Sequence, residues 1–314
     1  MASVTGIRQP RGTAFALRDP LPWAAFAGVV RAGESLGYEA VFLPEIAGRD
    51  AFAALTGLAG ETDHLLLGSG IVPMTSRQVR VTAMGAATVQ ERSGGRMILG
   101  LGAGAARTGA LAELARQIEE LRTLLAGPDA TGLSLALDRP VPIWIAALGP
   151  RAVALAGAAA DGVLLNWCSP ERVAEARADV RRAAEDAGRD PDEVTIAVYV
   201  RASVGVDEAE GAMALKRAFG EYASHAAYAK QFEGMGLGEE ARAAAAAHVA
   251  GRPEDIPDEL IRRICLVGDP GEARVRLAAY REAGADLPVV YAALLPADPV
   301  GSLMATLRGL APIP

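Results

Sequence analysis

Short apolar runs closed by glycine alternate with segments of helical period through most of this chain. The pattern is densest between His64 and Gly104. There Leu65-Leu66-Leu67 and Met97-Ile98-Leu99-Gly100-Leu101 flank a helix-like segment over about Gln78–Arg92, which Ser93-Gly94-Gly95 ends. Apolar runs of this length bounded by glycine read as buried strands, and strands alternating with helices give parallel βαβ units. Over the whole chain the pattern predicts strands at Thr13–Leu17, Glu39–Glu45, His64–Gly70, Arg96–Leu101, Pro142–Ala147, Gly162–Asn166, Val194–Val200 and Leu287–Ala292. Further helices are predicted at Trp23–Leu36, Asp50–Glu61, Gly109–Leu125, Arg151–Ala159, Pro170–Gly188 and Asp269–Ala283. In the Gly109–Leu125 segment, Leu111, Leu114, Ile118, Leu121 and Leu125 fall at helical spacing, and Gly127-Pro128 stops it. From Asp207 to Arg263 the pattern becomes an Ala- and Glu-rich helical excursion.

Eight strands, each but the last clearly followed by a helix, in 314 residues predict an α/β fold of the TIM (β/α)8 barrel type. The excursion, about 207–263, is then a helical insertion between strands 7 and 8 of a single domain spanning 1–314. A doubly wound sheet would place a GxGxxG turn directly after the first strand. Here Gly102-Ala103-Gly104-Ala105-Ala106-Arg107 follows the fourth strand and breaks the pattern. The barrel accounts for the chain better.

Composition narrows the function. Half the residues are hydrophobic, 51%, so a large core is available. A net charge of -7 leaves no basic excess to neutralise phosphates, which argues against a nucleic-acid partner. Cys168 and Cys265 have no metal-type spacing, so no metal site or disulfide is expected. The first twenty residues carry no signal-like apolar region, and no run of about 18 apolar residues could span a membrane. A cytoplasmic protein is expected.

In a barrel the C-terminal ends of the strands carry the chemistry. Those ends present Glu45, Gly70-Ile71, Gly102, Gly149-Pro150-Arg151, Asn166 and Tyr199–Arg201. No P-loop, HExxH or G-x-S-x-G motif occurs, and Glu45 is the one acid at a strand end. His64 opens strand three and so belongs to the opposite, stabilising face; His225 and His248 read as solvated positions in the excursion. Gly149-Pro150-Arg151-Ala152 opens a helix, where free amides and Arg151 could take a phosphate; an ordinary helix start with proline in its first turn is the other reading.

Four segments together resemble the bacterial luciferase-like monooxygenase superfamily, within it the coenzyme F420-dependent oxidoreductase branch. They are Tyr38-Glu39-Ala40-Val41-Phe42-Leu43-Pro44-Glu45, Leu67-Gly68-Ser69-Gly70-Ile71, Ser93-Gly94-Gly95-Arg96-Met97-Ile98-Leu99-Gly100-Leu101-Gly102 and Ala160-Asp161-Gly162-Val163. The resemblance resumes at Val267-Gly268-Asp269-Pro270. It implies a TIM barrel holding F420, or alternatively FMN, at the strand ends, with a non-proline cis peptide at Gly70-Ile71. By resemblance, the bulge of Ser69, Gly70 and Ile71 backs the deazaflavin ring, and Gly149, Pro150, Arg151 and Ala152 receive the cofactor phosphate. Gly102 and Asn166, at the ends of strands four and six, complete the candidate cofactor contacts.

Many relatives carry Asp-His after strand two, where this chain has Glu45-Ile46. Glu45 is therefore the candidate proton-handling residue; the competing reading is an ion pair with Arg49 or Arg77. The segment after strand four is short, since the chain passes almost directly from Gly104 into the next helix. The function expected is hydride transfer between F420 and a small organic substrate. The alternatives are an FMN-dependent luciferase-like monooxygenase and a non-catalytic flavin- or F420-binding protein. The partners expected are a small-molecule substrate and a second copy of the chain in a homodimer.

Overall fold

The apolar runs become the staves of a closed parallel sheet. The computed structural model describes residues 10–17, 21–104, 107–127 and 132–312. The N-terminal residues 1–9, and Ala105-Ala106 of the glycine-rich run, lie outside the described residues. The chain lays down β1 (Ala14–Ala16), α1 (Trp23–Ser35), β2 (Ala40–Pro44), α2 (Ala51–Ala59), β3 (Leu66–Pro73), α3 (Val79–Arg92) and β4 (Met97–Gly102). It continues with α4 (Ala110–Leu125), β5 (Ile143–Ala146), α5 (Pro150–Ala159), β6 (Gly162–Asn166), α6 (Pro170–Asp186) and β7 (Thr195–Val204). The insertion supplies α7 (Glu208–Ala223), α8 (Ala226–Gly234), α9 (Gly238–Val249) and α10 (Asp258–Ile264). Then β8 (Leu266–Gly268), α11 (Pro270–Glu282), β9 (Leu287–Ala292) and α12 (Pro299–Gly309) complete the chain.

Strands β1 to β7 pair in sequence order, and β9 closes the ring between β7 and β1. All pairings are parallel. The result is a TIM barrel. Alternation along each strand separates two apolar layers. Ala16, Phe42, Ile98, Trp144, Tyr199 and Tyr291 fill the interior. Val41, Leu67, Leu99, Ile145, Val163 and Val198 face the helical ring. The insertion has its own core around Phe219, Phe232 and Ile261.

Three elements in the second half of the chain differ from the pattern reading. β7 does not stop at Val200. Beyond Asn166 its partner β6 ends, and β8 takes over through Ala202↔Leu266 to Val204↔Gly268. A ninth strand, outside the barrel, is thereby added to the expected eight. The C-terminal α12 is also new, although Asp298 caps its N-terminus through Gly301 N at 2.9 Å and Pro299 follows at its first position.

Strand β3 runs through the predicted glycine turn to Pro73, with register shifts on both flanks. Ser69 explains how. Its hydroxyl accepts from Gly100 N at 2.8 Å and donates to Gly100 O at 2.9 Å, replacing ladder bonds with a side chain. A side chain at Gly100 would place its Cβ 2.1 Å from Ser69 O, so only glycine fits opposite this bulge. The Gly70-Ile71 peptide is trans: no cis peptide occurs among the described residues. The expected cis bond is therefore corrected. The bulge absorbs the extra residue by shifting register, with the peptide left in its ordinary form.

The most recognisable sequence blocks brace the opposite face of the barrel. Arg96 donates five hydrogen bonds of 2.9–3.0 Å, to the carbonyls of Ala59, Thr62, Leu65 and Ser93 and to the Thr62 hydroxyl. Asp161 accepts from Ile143 N at 2.8 Å and pairs with Arg122 at 2.9 Å. Glu34 gathers the amides of Asp63, His64 and Leu65 at 2.6–3.0 Å, joining α1 to the start of β3. His64 itself is exposed there, as are His225 and His248 in the insertion.

Candidate active site

The C-terminal mouth is built around Tyr199 and Arg201, successive inward positions of β7. Tyr199 reaches across the barrel and donates its hydroxyl to Gly70 O in the β3 bulge at 3.0 Å. Burial pushes its phenol well above the ordinary value, so it stays a neutral donor. Its ring stacks on Tyr291 with centroids 5.2 Å apart.

Arg201 is only 7% exposed. Its guanidinium carbon lies 3.7 Å from the Tyr291 ring centroid and 5.0 Å from those of Trp167 and Tyr222. Nη2 donates to Asn166 Oδ1 at 3.0 Å and to the Tyr222 hydroxyl at 3.3 Å, while the buried Nε has no partner. Taking a charge out of water costs several kcal/mol after relaxation. Ring faces return roughly 0.5–2 kcal/mol each. Rings and two neutral acceptors hold this cation, with no carboxylate in ion-pair contact among the described residues.

The insertion roofs this corner. Tyr228 of α8 receives a bond from Asn166 Nδ2 at 2.8 Å, and Gln231 Nε2 bonds the carbonyls of Asn166 and Trp167 at 2.8 and 2.9 Å. Trp167 takes φ +54, the one positive φ outside glycine among the described residues. Such a backbone costs on the order of 1–3 kcal/mol. The indole packs against Phe219, Tyr222 and Phe232, so the insertion's core holds the strained turn in place.

Across the mouth stands Glu45. Its carboxylate accepts from Arg77 Nε at 3.0 Å, from Arg77 Nη2 at 2.6 Å and from Ala51 N at 2.9 Å. Arg77 also pairs with Asp50. The Glu45–Arg77 ion pair is present: the carboxylate is engaged on both oxygens and fixes the start of α2. The two carboxylates hold Arg77 above its ordinary pKa against the opposing effect of burial.

The remaining candidates divide. Ile71 stays half-buried at the mouth and lends its carbonyl to Glu45 N at 3.1 Å. Gly102 lies beneath Ile71, and a Cβ there would meet Ile71 Cδ1 at 2.5 Å. Ser69 is fully buried and belongs to the β3–β4 ladder. Gly149, Pro150 and Arg151 are exposed and Ala152 half-buried at the start of α5, which has no side-chain cap; a Cβ on Gly149 would meet open space. Arg151 forms no ion pair among the described residues and borders a shallow groove with Asp179 and Arg182 of α6. Cys168 and Cys265 are buried and unlinked, their thiols pushed up to about 12 by burial.

Residues 5–287 match the family model of the luciferase-like monooxygenases. The chain belongs to this family. Among curated relatives of this luciferase-like protein, a 5,10-methylenetetrahydromethanopterin reductase of Methanolobus tindarius is 32% identical over 219 residues, which cover 63% of this chain and 67% of the relative. A Mycobacterium tuberculosis protein assigned to the coenzyme F420-dependent oxidoreductases is 27% identical over 319 positions, covering 85% and 90% of the two chains. Among solved structures, the coenzyme F420-dependent tetrahydromethanopterin reductase of Methanopyrus kandleri superposes with a TM-score of 0.76 over 96% of this chain and 98% of its own, at 21% identity. That likeness shows the shared fold.

The sequence pattern places Tyr199–Arg201 at a strand end but points to no role for Arg201, Tyr222, Tyr228 or Tyr291. A signal for Arg201 was present. Val198, Val200, Ala202 and Val204 continue one face of β7, so Tyr199, Arg201 and Ser203 must continue the other.

Proposed function

We propose that this luciferase-like protein is a coenzyme F420-dependent oxidoreductase acting on a small organic substrate. The observation that carries the reading is the β3 bulge, which leaves Ile71 half-buried at the mouth beside a cross-barrel tyrosine. Both sequence relatives described above bear on it: one is a methylenetetrahydromethanopterin reductase, the other is assigned to F420. Bound deazaflavin supplies a carbon, C5, that accepts or gives a hydride.

The residues present fit such a group. The uncapped start of α5, open at Gly149 and flanked by the unpaired Arg151, suits a phosphate. Ile71 offers an apolar surface to one face of a flat ring, and Gly102 keeps the strand low behind it. Asn166, held by Tyr228 and Arg201, fixes the edge beside β6. Tyr199 holds its proton on Gly70 O and so braces the bulge. Glu45, tied to Arg77, positions the rim. The reading goes with a cytoplasmic location and a homodimer.

The test follows visible deazaflavin absorbance in the loaded full chain while ketones, aldehydes and secondary alcohols are supplied. Substrate-dependent oxidation or reduction of F420 is expected. Oxygen uptake with reduced FMN, and none with F420, would replace the reading with a monooxygenase. Tight F420 binding without turnover on any substrate would leave a binding protein.

A further inference from the structure

Among the described residues two cations are buried, Lys216 and Arg201, while several half-buried ones also meet anions or full sets of acceptors. Lys216 pairs with Asp258 at 2.6 Å, Arg122 with Asp161, and Arg77 with Glu45. Arg96 fills its donors with five oxygen acceptors. Arg201, more buried than Lys216, has no such complement. Nη2 alone is bonded, both partners are neutral, and Nε is orphaned.

We propose that Arg201 binds the carboxylate of a small organic acid in the barrel mouth. The inference rests on the oxidoreductase reading only in calling that acid a substrate. Tyr291 at 3.7 Å fixes the plane of the guanidinium, and its single buried positive charge is balanced by a monoanion such as a carboxylate, whereas a dianionic phosphate would leave a negative charge buried without a partner. Location agrees. Tyr199 touches both the bulge, through Gly70 O, and the Arg201 side, with its ring centroid 6.0 Å from the guanidinium carbon. A molecule held at Arg201 is therefore linked to the β3 bulge through Tyr199. Asn166 and Tyr222 occupy Nη2, and the partnerless Nε–H is the donor left for a carboxylate oxygen. Because the unpaired charge is already desolvated in the free protein, an arriving carboxylate meets a cation prepared to bind it.

The test uses calorimetric titration of the full chain, at constant ionic strength, with acetate, butyrate and benzoate, each against its amide. At least one acid should bind about tenfold to a hundredfold more tightly than its amide, and Arg201→Met should erase the preference. Arg201→Lys keeps the charge without the fork and should reduce it, which decides the matter if the Met variant does not fold. No acid binding more tightly than its amide in the wild type would overturn the proposal. So would tighter binding of inorganic phosphate, or an acid preference that survives Arg201→Met. F420 is titrated in parallel. If Arg201→Met loses F420 affinity and keeps the acid preference, the cation serves the cofactor and the proposal falls. Acid binding that depends on Arg201 in a chain that ignores F420 would keep this site and sink the cofactor reading. F420 binding without acid preference would do the reverse.

Discussion

The Tyr199 hydroxyl donates to the Gly70 carbonyl at 3.0 Å, joining the middle of β7 to the bulge of β3 across the mouth of the barrel. The bond sits where the two halves of the proposed ligand site meet. Tyr199→Phe keeps the ring and removes the donor. It should cost about 1–3 kcal/mol, because Gly70 O is left buried without a partner. Urea unfolding measures this, and an unchanged midpoint would mean that water replaces the hydroxyl.

Gly70→Ala tests the same contact from the other strand. A Cβ there would fall 2.3 Å from Tyr199 Oη and 2.9 Å from Pro44 N. The backbone atom cannot swing aside, so overpacking of about 1–3 kcal/mol is expected, together with weaker cofactor binding from a folded barrel. F420 affinity equal to wild type would move the ring away from the bulge.

Glu45→Gln separates pairing from proton handling. With both oxygens engaged by Arg77 and Ala51, the loss should appear as about 1–2 kcal/mol of stability and leave turnover within about tenfold of wild type. A fall of about a hundredfold at unchanged F420 affinity would instead make Glu45 the proton-handling group.

Acid stability should depend on Glu34. Burial works against its ionisation, but the amides of His64, Leu65 and Asp63 outweigh burial and hold its carboxyl below the ordinary value. A depressed folded pKa gives stability that is complete above the unfolded value of about 4.3 and fades as pH falls through the folded one. Glu34→Gln should therefore destabilise at about pH 7 and converge on wild type toward about pH 3. Urea midpoints at the two pH values check this; a constant gap would assign the loss to packing.

Much of the barrel was legible because parallel strands, covered on both faces, must be continuous apolar runs. The β6 limits follow directly from Gly162-Val163-Leu164-Leu165-Asn166. What was not legible depends on distant partners. The three residues of β8 are a strand only because β7 outlasts β6, and the bulge needs the Ser69 hydroxyl to find Gly100. The family-like blocks around Arg96 and Asp161 turn out to brace the face away from the mouth. The mouth is lined by Arg201, Tyr222, Tyr228 and Tyr291, drawn from four separate elements and brought together by the insertion. Single residues converging in this way leave no contiguous motif.

Arg151 tests the phosphate end. It is exposed and unpaired beside the open start of α5. Arg151→Ala should weaken F420 binding about tenfold to a hundredfold and spare a phosphate-free deazaflavin. Equal loss for both ligands would point to misfolding, and no loss for either to a phosphate bound elsewhere.

The cofactor assignment is tested most directly by competitive titration of the full-length protein with F420 and FMN, read by the distinct fluorescence of each. Saturable F420 binding at one site per chain that excess FMN does not displace is the expected result. FMN binding that displaces F420 would contradict it.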